Sequence, residues 1–146
     1  MFTNKTNINT YTNTGGLMKE LFDKINKEVD LYIGVPDSLL KNFINEINKT
    51  DKKHIIATNE GQAVAIAFGA ILAGKQPCVY LQNSGLGNII NPLTSLCLPS
   101  NILPLLVIGH RHTLPQHKIM GEVDERLLKL IGYENYILVH GDNNAK

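Results

Sequence analysis

Glu60 stands alone where a short β-rich run, His54–Thr58 (HIIAT), meets a long apolar stretch, Gly61–Ala73. A carboxyl group at the mouth of an apolar layer loses part of its water and can then hold or share a proton near neutrality, which is general acid–base chemistry. The plainer reading is an acid drawn to the positive end of a helix dipole, in a turn that Asn59 can cap, and spacing alone favours it. Asp37 follows Val35-Pro36 and by statistics is a helix cap. Asn83-Ser84-Gly85-Leu86-Gly87-Asn88 is a tight turn whose backbone N–H groups could cradle a phosphate. Gly85 and Gly87 lack the third glycine of a dinucleotide fingerprint, however, and no acid ends a strand at the right distance beyond. His110, His112 and His117 lie with Arg111 and Lys118 in the one local cationic cluster of a nearly neutral chain. Their gaps across a proline-bearing loop fix no ligand geometry, so they read as surface or substrate-facing groups and no residue is assigned to a metal. The cations suit an anionic ligand; a solvated loop is the bland alternative.

Composition limits what these residues can belong to. A chain of 146 residues fits one domain with a full two- or three-layer core. With 14 basic against 13 acidic residues it has no electrostatic footprint for nucleic acid or an anionic membrane surface. Any anion must be met by local groups. Cys78 and Cys97 both sit in apolar surroundings without metal-ligand spacing, which predicts buried free thiols and a cytoplasmic setting. The opening MFTNKTNINTYTNT is polar, lacks an apolar signal region and reads as a loose end, 1–14. One domain over 15–140 and a polar chain end over 141–146 complete the division.

The elements that must position these groups alternate. Thr14 can cap a helix over roughly Gly15–Val29, with Leu17, Leu21, Phe22 and Ile25 on one stripe. Strands follow at Leu31–Val35, His54–Thr58, Pro77–Gln82, Leu103–Gly109 and Tyr136–His140, where branched apolar residues dominate. Between them the patterning predicts helices from Asp37 or Ser38 to Ile47, over Gly61–Ala73 with no wet face, from about Leu86 to Cys97, and from about Glu122 to Ile131 after a loop at His110–Gly121. This alternation predicts an α/β fold in three layers, a parallel sheet with helices on both faces. Ligands bind such sheets at the carboxyl ends of the strands. Asp37, Glu60, the Asn83–Asn88 turn and the histidine loop all follow strands, so all four are expected at one edge.

GVPDSLL (Gly34–Leu40), NEGQAVAIAFGAILAGKQP (Asn59–Pro77), QNSGLGNIINPLTSL (Gln82–Leu96) and PLLVIGHR (Pro104–Arg111) resemble the N-terminal, pyrimidine-binding domain of thiamine-diphosphate-dependent decarboxylases. Within that family they are similar to phosphonopyruvate decarboxylases and to the α subunit of sulfopyruvate decarboxylases. The resemblance, which runs from about Gly15 to Val139, implies the thiamine-diphosphate-binding fold and an enzyme that decarboxylates an anionic 2-oxo acid, 3-phosphonopyruvate or 3-sulfopyruvate. It implies that Glu60 hydrogen-bonds the ring nitrogen of the cofactor's aminopyrimidine, and that Asn83, Ser84, Gly85, Leu86, Gly87 and Asn88 help to bind the cofactor. It implies that Asp37 and His117 face the reaction and that Asp37, Arg111, His117 and Lys118 meet substrate. Lys118 departs from the histidine pair of wider relatives, and a cation there suits a second anionic group.

The family's second domain, which holds the diphosphate and Mg2+ through a GDG motif and later paired asparagines, has no counterpart here. Gly141-Asp142-Asn143-Asn144 has similar letters without the spacing. The resemblance therefore implies half an active site, completed by a pyrophosphate-binding partner subunit or domain, in an oligomer. The segment Arg111–Pro115 is shorter than its counterpart in phosphonopyruvate decarboxylases, which implies a different substrate lid. The competing class is a non-catalytic assembly module that keeps the fold, and Glu60 separates the two, since such a module has no need of an acid there.

Overall fold

A computed structural model describes residues 10–141; the readings for 1–9 and 142–146 lie outside the described residues. Six strands, β1 (Thr10–Thr12), β2 (Leu31–Gly34), β3 (Lys53–Ile56), β4 (Pro77–Gln82), β5 (Leu105–His110) and β6 (Tyr136–His140), form one sheet in the order β1-β6-β5-β4-β2-β3. Every neighbouring pair is parallel. The expected three-layer α/β architecture is therefore present.

Alternation along each strand divides the core in two. Leu31 and Ile33, Val79 and Leu81, Leu106 and Ile108, and Tyr136 and Leu138 point to one face. Tyr32, Cys78, Tyr80, Leu105, Val107, Ile137 and Val139 point to the other. The second face is covered by α1 (Gly15–Asn26), through Met18, Leu21, Phe22 and Ile25, and by α2 (Lys41–Ile47), through Phe43 and Ile47. The first is covered by α3 (Glu60–Leu72), by α4 (Ile90–Pro92), which continues as a wide π-helical turn over Leu93–Cys97, and by α5 (Pro115–Ile131). Both cysteines are free and buried. Burial pushes the Cys78 thiol up and the Cys97 thiol up to about 11, so neither is a nucleophile at neutral pH.

The structure corrects several expectations. The leader read as loose supplies β1, whose Thr10–Thr12 pair with Leu138–His140. Three threonine- and tyrosine-rich residues suffice because β6 offers a free edge to pair with. The strand expected at His54–Thr58 for its branched apolar residues, which suit a buried parallel strand, lies instead at the opposite edge as Lys53–Ile56, and Ile56 is 56% exposed. The continuous helix expected over Leu86–Cys97 is broken: Asn83–Asn88 winds as a tight 3-10 turn before α4. Two glycines in that turn and Pro92, which has no N–H to donate, disfavour regular α-helix there. The loop expected over His110–Gly121 is cut short by α5, which starts at Pro115; a proline at the first helical position is preset for it. His117 and Lys118 thus stand on a helix. Finally, α3 has an outer face after all. Ala63, Val64 and Ala67 are buried, while Ala65, Gly69 and Leu72 are exposed although the helix is apolar all round.

Candidate active site

The strand order reverses between β2 and β4: after β2 the chain steps outward to β3, then returns to build β4, β5 and β6 on the other side. Loops leaving the carboxyl ends on either side of such a reversal diverge and open a crevice. Asp37 follows β2, Glu60 follows β3, the glycine turn follows β4 and Arg111 follows β5.

Glu60 opens α3. Asn59 is the N-cap, and its side chain accepts from the Gln62 N–H at 2.9 Å, so the backbone donors of this turn are partly met without the glutamate. The carboxyl group is free to face outward. Asn88 Nδ2 donates to Glu60 Oε2 at 2.7 Å. A Cβ on Gly85 would stand 2.4 Å from Glu60 Cδ and Oε1, so only a glycine lets the backbone of the turn lie against that carboxyl group. The same turn crosses the start of α3, where a Cβ on Gly61 would be 3.2 Å from the Asn88 carbonyl oxygen. Within the turn Asn83, Gly85 and Leu86 are buried, whereas Ser84, Gly87 and Asn88 are exposed. Leu86 places its side chain in the core and leaves only backbone for a ligand.

Asp37 does not cap the helical turn that follows it. It pairs with Arg111 instead: Arg111 Nη2 and Nε donate to Asp37 Oδ1 at 2.8 and 3.1 Å, and Nη2 also donates to Ser38 Oγ. The aspartate side chain is 5% exposed, and its second oxygen, Oδ2, is buried without a hydrogen-bond partner. A Cβ on Gly109 would be 2.8 Å from that oxygen. Asp37 Oδ2 and Asn83 Oδ1 are the two buried side-chain oxygens left without a hydrogen-bond partner among the described residues. His117 is half-buried in the first turn of α5, its Nδ1 3.3 Å from Gln82 Nε2, and Lys118 beside it is exposed.

Behind the loop lies a polar network that spacing did not single out. Asp124, 2% exposed, accepts from His110 Nδ1 at 2.5 Å and from Asn83 Nδ2 at 2.9 Å. The His110 ring also lies tilted against His140, ring centres 4.3 Å apart, and against His112 at 5.0 Å. Burial and then the neighbouring His110 lower the pKa of His140. One signal could have found Asp124. Once α5 begins at Pro115, the stripe His117, Gly121, Asp124, Leu128 and Ile131 puts one acid on the inward face of an amphipathic helix.

The crevice suits an aminopyrimidine. It offers a carboxyl group steadied at one oxygen by an amide and flanked by bare glycine backbone, at the start of α3. Such a carboxyl group can share a proton with a heteroaromatic nitrogen.

Residues 17–128 match the family model described as "Thiamine pyrophosphate enzyme, N-terminal TPP binding domain". The chain is 41% identical over 107 residues to a phosphonopyruvate decarboxylase of Streptomyces viridochromogenes, a match spanning 69% of this chain and 27% of that protein. It is 40% identical over 114 residues to the sulfopyruvate decarboxylase subunit alpha of Methanocaldococcus jannaschii, spanning 74% of this chain and 67% of that subunit. Among solved structures it resembles a 2-oxoglutarate:ferredoxin oxidoreductase from Magnetococcus marinus with a TM-score of 0.52, 14% identity, and coverage of 88% of this chain and 27% of that one. That likeness concerns the fold alone. The chain thus spans about a quarter of the phosphonopyruvate decarboxylase it matches and two thirds of the sulfopyruvate decarboxylase subunit. By the extent of the family match, this chain belongs to the N-terminal TPP-binding domains of thiamine pyrophosphate enzymes.

Proposed function

We propose that this chain is the pyrimidine-binding half of a thiamine-diphosphate-dependent decarboxylase acting on 3-phosphonopyruvate or 3-sulfopyruvate, working in the cytoplasm. The observation that carries the reading is Glu60: a carboxyl group held by Asn88, overlaid by Gly85, at the crevice of a thiamine-pyrophosphate-binding domain. The names of the relatives at about 40% identity supply the substrate class.

Thiamine diphosphate, when bound, supplies the electron sink for the pair released as CO2 leaves. The residues of this chain bind and orient around it. Glu60 holds a proton against the pyrimidine ring nitrogen, and Asn88 fixes the carboxyl orientation so that the proton lies on the open side. Gly85 and the apolar start of α3 exclude water from one face of the ring. Asp37 and His117 line the reacting side. Arg111 and Lys118 meet the second anionic group of the substrate. The diphosphate and Mg2+ are held by a partner chain or domain, and the exposed apolar face of α3 (Ala65, Gly69, Leu72) is covered in that assembly.

The test is reconstitution: this chain, a pyrophosphate-binding partner with a GDG motif, thiamine diphosphate and Mg2+, with CO2 release measured on both substrates. Release that needs both chains is expected. No release from either substrate, or full turnover by a monomer of this chain, overturns the proposal.

A further inference from the structure

We infer that Asp124, which faces neither the cofactor side nor the substrate side of the crevice, is a positioning residue that sets the Arg111 corner and the glycine turn in register. The amide of Asn83 is the link. Its Nδ2 donates one hydrogen to Asp124 Oδ2 and the other to the Arg111 carbonyl oxygen, both at 2.9 Å. Two acceptors on the same side fix this orientation of the amide, since the flipped form would put its oxygen against both. Asn83 is fully buried, and it begins the turn whose Gly85 lies on Glu60. His110, at the end of β5, is held to the same carboxylate oxygen, so the His110 side chain is tied to Asp124 directly and the Arg111 carbonyl is tied to it through Asn83.

The physical consequence is a rigid joint. Arg111 reaches Asp37 across the β2–β4 crevice, and a long side chain can hold that pair in one geometry only if its backbone is fixed. Asp124 supplies that fixation from inside α5, the same helix whose first turn carries His117 and Lys118. A single buried carboxylate therefore ties together the cofactor-facing turn, the substrate-facing arginine and the helix bearing the other cation. The buried setting makes the joint strict, because an unpaired donor left there is costly and the loop must move to recover it.

The catalytic consequence rests on the proposed decarboxylase reading, but the joint itself does not. In the full chain, the Arg111 Nε–H signal in a nitrogen–proton correlation spectrum reads the Asp37 pair directly. Asp124→Ala is expected to shift that signal and speed its exchange with water by about tenfold or more, although Arg111 and Asp37 are unchanged. Asp124→Asn, which can keep an acceptor toward Asn83 and His110, is expected to restore it. Asn83→Leu keeps buried volume, removes the link and is expected to reproduce the alanine result. In the reconstituted complex, Asp124→Ala is expected to raise KM for the two-anion substrate about tenfold or more, with a smaller change for pyruvate. An Arg111 signal unaltered in Asp124→Ala, or failure of both Asp124→Ala and Asn83→Leu to fold, overturns the inference in favour of a purely structural acid. If the wild-type complex decarboxylates neither substrate, the functional reading falls and the spectrum still decides the joint.

Discussion

The two sides of the crevice are built by different physics. On the β3 side, Glu60 is placed by close backbone approach: a capped helix start, one hydrogen bond donated by the Asn88 side-chain amide, and a glycine where any Cβ would collide. On the β5 side, Arg111 is placed by charge and a buried polar network running through Asp37, Asn83, Asp124 and His110. The first arrangement needs almost no charge compensation and leaves its acid open to a ligand. The second pairs Arg111 with Asp37, so that guanidinium is oriented by the fold itself. On the proposed reading, a proton-sharing site and an anion-reading site ask for these two solutions.

The largest effect is expected from Glu60→Gln. The amide keeps volume and most hydrogen bonding but cannot share a carboxylic proton, so turnover of the reconstituted enzyme falls by about 10²–10⁴-fold while cofactor affinity weakens little. Steady-state rates beside cofactor titration check it, and equal loss of both would remove the proton-sharing role.

Gly85→Ala sharpens the contrast next. The new methyl group can be accommodated only by moving the flexible end of Glu60, so the chain folds with a melting temperature near that of the parent, yet activity drops by about tenfold or more. A large loss of stability would show that the turn, rather than the carboxyl group, yields.

On the ionic side, Lys118→Met is expected to act through substrate choice. The ratio of decarboxylation rates on 3-phosphonopyruvate and pyruvate falls by about tenfold, because pyruvate has no second anion to leave unpaired. An unchanged ratio would show that the cationic loop does not read that anion.

The smallest effect is on stability and pH. Burial lowers the pKa of His54, and burial followed by His110 lowers that of His140. The folded state then prefers both neutral, and the unfolded state takes up protons first. Stability is fully present above the unfolded value and is lost as pH falls through about 6.5, levelling off below the folded values. Thermal midpoints measured between about pH 7.5 and 5.5 should decline, and His54→Gln with His140→Gln should flatten the slope.

The sequence was legible wherever a period or a local rule is decisive. Short, nearly continuous apolar runs rich in branched residues, LYIG, PCVYLQ, LLVIGH and YILVH, marked the strands that the sheet buries on both faces. The Thr14 and Asn59 caps were readable because a cap is satisfied within its own turn. Glu60 at the carboxyl end of a strand followed from the βα alternation alone. The misread stretches were those where tertiary context overrides local preference. A free edge on β6 turned Thr10–Thr12 into a strand, and a uniformly apolar α3 could not announce which of its sides the sheet would leave uncovered.

By itself the sequence therefore determined the parallel α/β architecture, the edge on which chemistry gathers and the acid that stands there, since each depends on neighbours within a turn or on a repeating pattern. Only the tertiary structure decided that Asp37 and Arg111, 74 residues apart, pair, that Gly85 lies on Glu60, and that Asp124 binds Asn83 across 41 residues. Those contacts are made by the packing of strands that are distant in the chain, and no spacing along it encodes which atoms the closed sheet will bring within a hydrogen bond of each other.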